Sequence, residues 1–300
     1  MVQISDIEDP FQRYIAFLVE RNIIYSLKKR GQPWPWTEDP ILSEYRFTNV
    51  CREVDKVSLH YQKTVRDHYK EDPLVLPATV LYRWFNRIET CDRLFNEPNI
   101  GNRSIFERYI DSGCKECHIL FYAIEDIPLP HVTGAFIVNG APGVSKGAGI
   151  MAYFHQWCQK PWEEQWNIWL KNPPTLQQMY VWLQESASGL GSFMTAQLVA
   201  DLKYLPFMRQ VEDWWSWAAP GPGSQRGMNA VLGRPMLQKW DTREWLQEIQ
   251  ALRDRENGAL AQYGMGPFHA QDTQNHCCEF SKYEKTRRGL GRPRQRYHHG

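Results

Sequence analysis

The sequence predicts a mainly α-helical fold carrying a small β-hairpin insertion, and three observations carry that expectation. Apolar residues recur at spacings of three and four along most of the chain, as in Phe11, Tyr14, Ile15, Leu18, Ile23, Ile24 and Leu27, the stripe of a helix packed on one face. Gly189-Leu-Gly191 separates two such patterns, and glycine reaches the backbone angles that a tight hairpin between helices needs. Ile119-Leu-Phe-Tyr-Ala-Ile124 and Val132-Thr-Gly-Ala-Phe-Ile-Val138 are instead β-like, with a proline-containing turn between them, which predicts the hairpin.

Taken in order, a first helix is expected over residues 10–30. Lys28-Lys29-Arg30 suits its C-terminus and Gly31 stops it. Pro33-Trp-Pro-Trp-Thr-Glu-Asp-Pro40 is too proline-rich for a helix and too aromatic for a solvated linker. A segment of this kind packs on the domain and positions something. Tyr45 then enters a helix running to about Tyr69. Its spacing of three would set Arg46, Asn49, Arg52 and Asp55 along one face, anchored by Tyr45, Phe47, Val50 and Val54. A polar stripe held rigidly in this way is what a site needs.

Further helices are expected over 74–96, 102–113, 147–158, 162–171 and 175–187, and from Ser192 after the glycine hairpin. Gly221-Pro-Gly223 forms a second loop, with Ser224 as N-cap and Arg226 in the first turn of the next helix. Asp241 caps a helix to about Arg255, residues 256–272 are irregular, and Asn275–Tyr283 is a short helix. From Lys282 to Tyr297 the chain holds seven Lys and Arg against the single Glu284, a flexible tail attractive to polyanions. With no repeat and no linker, the chain is expected to form one helical domain over 1–285 with a basic flexible tail over 286–300.

The formal charge of the 300 residues is +1, so a nucleic-acid partner would be met by a local patch. Thirteen Trp, 14 Tyr and 13 Phe are many for this length; most are expected in the core, and the surplus keeps stacking on bases open. Seven irregularly spaced Cys argue for a reducing compartment. The acidic start excludes a signal peptide, and no apolar run approaches the ~20 residues of a membrane span. A cytoplasmic protein with no membrane partner is expected. Gly140-Ala-Pro-Gly-Val-Ser-Lys-Gly147 lacks the spacing and the Ser or Thr of a nucleotide-binding phosphate loop. Cys114-Lys-Glu-Cys-His118 and His276-Cys-Cys278 are poor zinc sites. No metal and no definite cofactor are expected. The two glycine-rich helix starts, Gly189, Gly191 and Ser192 with Gly221 and Gly223, offer unpaired N–H groups suited to a DNA phosphate.

Gly189-Leu-Gly191 and its helix resemble the helix-hairpin-helix element of DNA glycosylases, although no Asp follows Gly221-Pro-Gly-Ser-Gln-Arg-Gly227 where those enzymes keep their catalytic carboxylate. Four blocks give a closer resemblance: Pro35-Trp-Thr-Glu-Asp-Pro40, Tyr45-Arg-Phe-Thr-Asn-Val-Cys-Arg-Glu-Val-Asp55, Gly221–Gly227 and Cys278-Glu-Phe-Ser-Lys-Tyr283. In order and combination they are similar to the alpha-glutamyl/putrescinyl thymine pyrophosphorylases of bacteriophage thymine hypermodification and to the related helical domain of hydroxymethyluracil DNA kinases.

That resemblance implies a glycosylase-like helical fold acting on DNA with a modified thymine. A 5-hydroxymethyluracil, activated as its phosphate or pyrophosphate, would exchange that group for an amine or amino acid co-substrate. The extrahelical base needs aromatic walls, for which Trp34 and Trp36 are candidates. Arg46, Arg52, Arg226, Lys282 and the Gly223 and Ser224 amides would hold the leaving group. Asn49 would read the uracil edge, and Asp55, Asp39 or Glu279 would take the proton of the amine. Three other readings stand beside this one: a base-recognition module working with a separate hydroxymethyluracil DNA kinase, a non-catalytic DNA-binding protein, and a glycosylase using Asp201 or Asp213.

Overall fold

Asp9 precedes Pro10, and its carboxylate accepts the Gln12 N–H at 2.7 Å. Proline has no N–H to satisfy at the first helical position, so this pair starts the first helix where the apolar stripe begins. The computed structural model describes residues 3–96, 103–132, 143–186 and 189–297. Among them fourteen α-helices follow one another: α1 Pro10–Lys29, α2 Pro40–Glu44, α3 Lys56–Tyr61, α4 Val75–Phe85, α5 Ile88–Phe95, α6 Ile105–Asp111, α7 Cys117–Glu125, α8 Lys146–Cys158, α9 Trp162–Lys171, α10 Leu176–Ser186, α11 Ser192–Leu202, α12 Pro222–Val231, α13 Thr242–Leu260 and α14 Ala270–Arg287. No sheet forms among the described residues, where the β-structure is an isolated antiparallel bridge between Tyr45 and Arg296. No described helix is long and apolar enough to cross a membrane.

The single domain expected over 1–285 is divided into two compact units. One joins residues 1–55 to 215–300, and the other is the continuous stretch 56–214. Nothing in composition marks the junctions, because the first unit is closed by contacts between segments more than 200 residues apart.

In the continuous unit, α4 is buried all round, from Val75 to Phe85. Inside it Arg83 forks onto Asp201 of α11, with Nη2 2.8 Å from Oδ1, and its Nη1 donates to Asn86 at 2.8 Å. Asn86, at φ +49°, breaks the predicted 74–96 helix into α4 and α5. The first half of the expected β-hairpin is helical: α7 covers Ile119–Ile124 and buries Leu120, Ala123 and Ile124. An unbroken apolar run has no alternation to distinguish a strand from a buried helix. Its expected partner, from residue 133, lies outside the described residues. Gly189 turns at φ +95° and α11 opens at Ser192, both as expected, with Gly191 as the N-cap.

In the discontinuous unit α14 is the central element, surrounded by α1, α2, α12 and α13. It is 18 residues long, where a short helix was expected, because Ala270 to Ser281 carries polar residues whose burial the sequence pattern does not announce. A Cβ on Gly227 would lie 1.8 Å from the Cys277 carbonyl oxygen, and one on Gly223 would lie 2.5 Å from Cys278 Sγ. These two glycines let α12 lie directly on α14. Gly221 is the N-cap of α12 and Ser224 lies inside the helix. The buried Ser224 hydroxyl accepts the Gly221 N–H at 3.2 Å and donates to the Gly221 carbonyl at 3.0 Å.

Buried charges tie the segments of this unit together. Glu284, fully buried on α14, takes Arg13 of α1 at 2.9 Å, Arg287 at 2.8 Å and Arg288 at 2.8 Å. Glu256 of α13 accepts the Tyr14 hydroxyl at 2.6 Å and His276 Nδ1 at 2.7 Å, while His276 Nε2 lies 2.8 Å from the Val50 carbonyl. Both His276 nitrogens face acceptors. A neutral imidazole has one N–H, so the ring donates to both acceptors only in its doubly protonated form, which this pocket favours. Burial opposes the charge, but Glu256 outweighs it and lifts the His276 pKa above its ordinary value.

The tail is ordered well beyond residue 286. After α14, the Arg46 N–H donates to the Gln295 carbonyl and the Tyr297 N–H to the Glu44 carbonyl, each at 3.0 Å. Lys282, Arg287, Arg288 and Arg296 are paired with Glu279, Glu284 and Glu44, so the basic run is largely spent on the protein's own carboxylates.

Two expectations follow for stability. Gly227→Ala drives a methyl into backbone and should cost about 3 kcal/mol or more by overpacking. Gly258→Ala, in α13 where a Cβ meets nothing within 4 Å, should add about 0.5–1 kcal/mol; urea unfolding midpoints of the two variants decide. The folded-state pKa of His276 lies above the unfolded value of 6.5. Its contribution is therefore fully present below pH 6.5 and is lost as pH rises through the folded pKa. Unfolding free energies should fall as the pH rises above 6.5, and His276→Gln should flatten that slope.

Candidate functional site

The site is built on three consecutive residues without regular structure, Thr48, Asn49 and Val50. Unpaired peptide groups are costly when buried, and here ionisable side chains satisfy them. Arg21 of α1 donates through Nε and Nη2 to the Thr48 carbonyl, the Nε bond being 3.2 Å. Glu279 of α14 accepts the Thr48 N–H at 3.3 Å. Asp55 accepts the Asn49 N–H at 3.0 Å, and the Asn49 side chain donates to the Val54 carbonyl at 3.3 Å. The His276 cation holds the Val50 carbonyl.

This geometry corrects the expected helix over 45–69. Residues 46–51 are irregular, Arg52–Val54 is a single 3-10 turn, and the α-helix begins at Lys56. Asn49 and Asp55 are neighbours because the loop closes on itself, not because they share a helical face. Glu279 and Asp55 hold adjacent peptide N–H groups, and their charges both bear on Arg21. Burial pushes the Asp55 carboxyl up to about 6, against the Asn49 N–H, Arg52 and Arg21, which pull it down.

A cleft opens beside these groups, lined among others by Arg21, Lys28, Tyr45, Phe47, Asn49 and Tyr297. Lys28 Nζ lies 5.1 Å from the Trp36 ring centre and 5.0 Å from that of Tyr297, while Trp36 and Tyr297 meet edge to face at 5.2 Å. The Lys28 ammonium is held below its ordinary pKa by burial, then by the charge of Arg46, with Asp55 acting the other way. The Asp55 carboxylate thus acts on two cations, Arg21 and Lys28, that line the cleft together with the rings of Tyr45, Phe47 and Tyr297.

The sequence-predicted residues distribute as follows. Asn49 lines this cleft, and Asp55 and Glu279 accept the N–H groups of the lining residues Asn49 and Thr48. Arg46 and Trp36 act on Lys28, and Arg52 on Asp55. Trp34 is 45% exposed and donates to the Ser43 carbonyl at 3.3 Å. Asp39 is 4% exposed and caps α2 through the Ile41 and Leu42 N–H groups, both at 2.9 Å, while accepting the Tyr283 hydroxyl at 2.7 Å. Its oxygens are engaged in structure. Lys282 is bonded to Glu279, whose negative charge raises the ammonium pKa despite the opposing effect of burial. Arg226 and Ser224 lie on α12, where Arg226 acts electrostatically on Cys278 and Lys285. Gly221 and Gly223 belong to the same unit, and Gly189, Gly191 and Ser192 to the other. Asp201 is bound by Arg83, and Asp213 accepts the Leu176 and Gln177 N–H groups at 2.8 and 3.0 Å.

Arg21, Lys28, Glu256, His276 as a cation, and Tyr297 were not picked out from the sequence. One signal was available: Arg21 sits in register with Tyr14, Phe17, Leu18 and Ile24, all buried on α1. A charge on an apolar stripe is buried only when something answers it. Among the described residues no group of three or more His, Cys, Asp or Glu is arranged to hold a metal ion.

The curated protein described as "5-hmdU DNA kinase" from Bacillus phage SP10 is 26% identical over 291 residues, covering 90% of this chain. The chain spans 44% of that relative's length. No solved structure matches it. The family described as "5-hmdU DNA kinase, helical domain" matches residues 8–290, nearly the whole sequence, and the chain belongs to that family.

Proposed function

We propose that this chain handles 5-hydroxymethyluracil in DNA and exchanges an activating phosphate or pyrophosphate on that base for an amine or amino acid. The observation that carries the reading is the placing of Asp55, with its carboxyl pushed up to about 6, on the backbone of Asn49, in the wall of a cleft that Arg21 and Lys28 also line, with Arg46 acting on Lys28. A carboxylate of that basicity is suited to take a proton from an attacking amine near neutral pH. The amine nitrogen bonds to the exocyclic methylene carbon, the carbon–oxygen bond to the phosphoryl group breaks, and the leaving oxygen keeps the electron pair. The cations balance the charge that develops there. Trp36, Tyr45 and Tyr297 supply rings against which an extrahelical base stacks, and the Asn49 amide offers a donor and an acceptor to its edge. The family supports the base, and the local chemistry supports the substitution.

The placement of Gly223 and Gly227 against α14 accounts for those glycines by packing. The phosphate-holding role expected of the α12 start therefore passes to the cleft cations. Gly191, with nothing within 4 Å of a Cβ position, and Ser192 remain the proposed contact with the DNA backbone in the second unit. The engagement of Asp201 and Asp213 with Arg83 and the α10 start weighs against a glycosylase.

A second reading is favoured by one observation, the match of residues 8–290 to a family described as the helical domain of a 5-hmdU DNA kinase. A base-recognition module working with a hydroxymethyluracil DNA kinase fits that description. In either case the working place is an infected bacterial cell.

The test is mass spectrometry of nucleosides from hydroxymethyluracil DNA treated with a hydroxymethyluracil kinase, ATP, a panel of amines and this protein. The substitution reading expects a new aminated nucleoside that depends on the protein, and an unchanged profile across the panel would sink it. The module reading expects instead a faster appearance of the phosphorylated base. If substitution occurs, its rate should rise with pH through an apparent pKa near 6. Asp55→Asn should abolish that limb and slow the reaction about 100-fold or more.

A further inference from the structure

Arg21 is 4% exposed, yet its guanidinium is only partly answered. Nε and Nη2 are bonded to Thr48, whereas buried Nη1 has no hydrogen-bond partner among the described residues. The nearby carboxylates are turned to other work, Asp55 to the Asn49 N–H and Glu279 to the Thr48 N–H and Lys282. A buried guanidinium N–H left without an acceptor carries its full desolvation cost, so an acceptor is expected to complete it. Arg21 lines the cleft that Lys28 and Asn49 also line. The side chains there offer donors, and Lys28 is a second cation. Planar N–H groups beside an ammonium match an oxyanion with several oxygens.

We infer that the Arg21–Lys28–Asn49 pocket binds a phosphoryl oxyanion, free or esterified, and that the chain's own C-terminal segment covers it. Tyr297 forms part of the pocket wall, and the segment carrying it rests on Glu44–Arg46 through two backbone hydrogen bonds, a half-exposed Arg296–Glu44 ion pair and the stacking of Arg296 on Tyr45. Tyr297 itself meets the Trp36 ring and the Lys28 ammonium, so a ligand that draws Lys28 away removes one of the contacts that hold the cover. Arg292 and Arg294 border a basic trough on the same segment, which gives an approaching phosphate a first contact. The inference rests on the proposed reading only for which part of the substrate occupies the pocket, the phosphoryl group of the activated base.

The test measures binding without chemistry. The full-length chain is titrated calorimetrically with inorganic pyrophosphate, with orthophosphate, and with a single-stranded thymine oligonucleotide lacking any hydroxymethyl group. Saturable pyrophosphate binding is expected, weakened at least about tenfold by Arg21→Gln and about threefold or more by Lys28→Gln. Circular dichroism verifies that each variant is folded, and Lys28→Gln alone decides if Arg21→Gln is not. Binding of the oligonucleotide but not of pyrophosphate, with the same dependence on Arg21 or Lys28, assigns the pocket to a strand phosphodiester. No saturable binding of any ligand, or equal binding by the folded variants, overturns the assignment. Hydrogen exchange of the Arg46 and Tyr297 amides should quicken on saturation with pyrophosphate, and unchanged exchange would overturn the cover. Failure here with amination intact removes the pocket and leaves the proposed reaction standing. Binding with an unchanged nucleoside profile does the reverse.

Discussion

Three successive peptide units, Thr48 to Val50, depend on ionisable side chains for hydrogen bonds that a helix or sheet would otherwise supply. Arg21, Glu279, Asp55 and His276 each hold one backbone group there. A loop pinned in this way is as rigid as a regular element, and its rigidity comes from groups that are themselves chemically active. The His276 cation is held in turn by Glu256, which also accepts the Tyr14 hydroxyl. Support for the cleft thus reaches through α14 to α13 and α1. Removing one member exposes the others to the cost of an unpaired buried charge.

Much of the helical plan was legible in the sequence. α1, α8, α9 and α10 begin and end within a few residues of their expected limits, since caps and apolar spacing agree there. The misread stretches have physical reasons. In α7 an uninterrupted apolar run carries no period. In α14 the buried residues include Gln271, Thr273, His276, Glu279 and Glu284, which a hydrophobic pattern reads as surface. The same blindness hid part of the site: Asp55 and Asn49 stood out as polar groups among apolar anchors, but Arg21 and Lys28 lie on a helix whose pattern was fully explained by packing.

The net charge of +1 conceals a strongly uneven distribution. Four of the seven C-terminal cations are paired with carboxylates, while Arg21 and Lys28 line one cleft, with Arg46 acting on Lys28. Selectivity for an anion would come from this local imbalance, strengthened by the burial of Arg21. Glycine at 223 and 227 serves the same end indirectly, because it sets how closely α12 lies on the helix that carries Glu279 and His276.

The unit that holds the cleft is assembled from both ends of the chain. Arg13 waits for Glu284, Tyr14 for Glu256 and Val50 for His276, separations of 271, 242 and 226 residues. During synthesis the first 55 residues emerge without their core partners, whereas residues 56–214 form a continuous stretch that has its own interior. The continuous stretch can therefore close its own contacts during synthesis, whereas the cleft cannot form until α14 has been made.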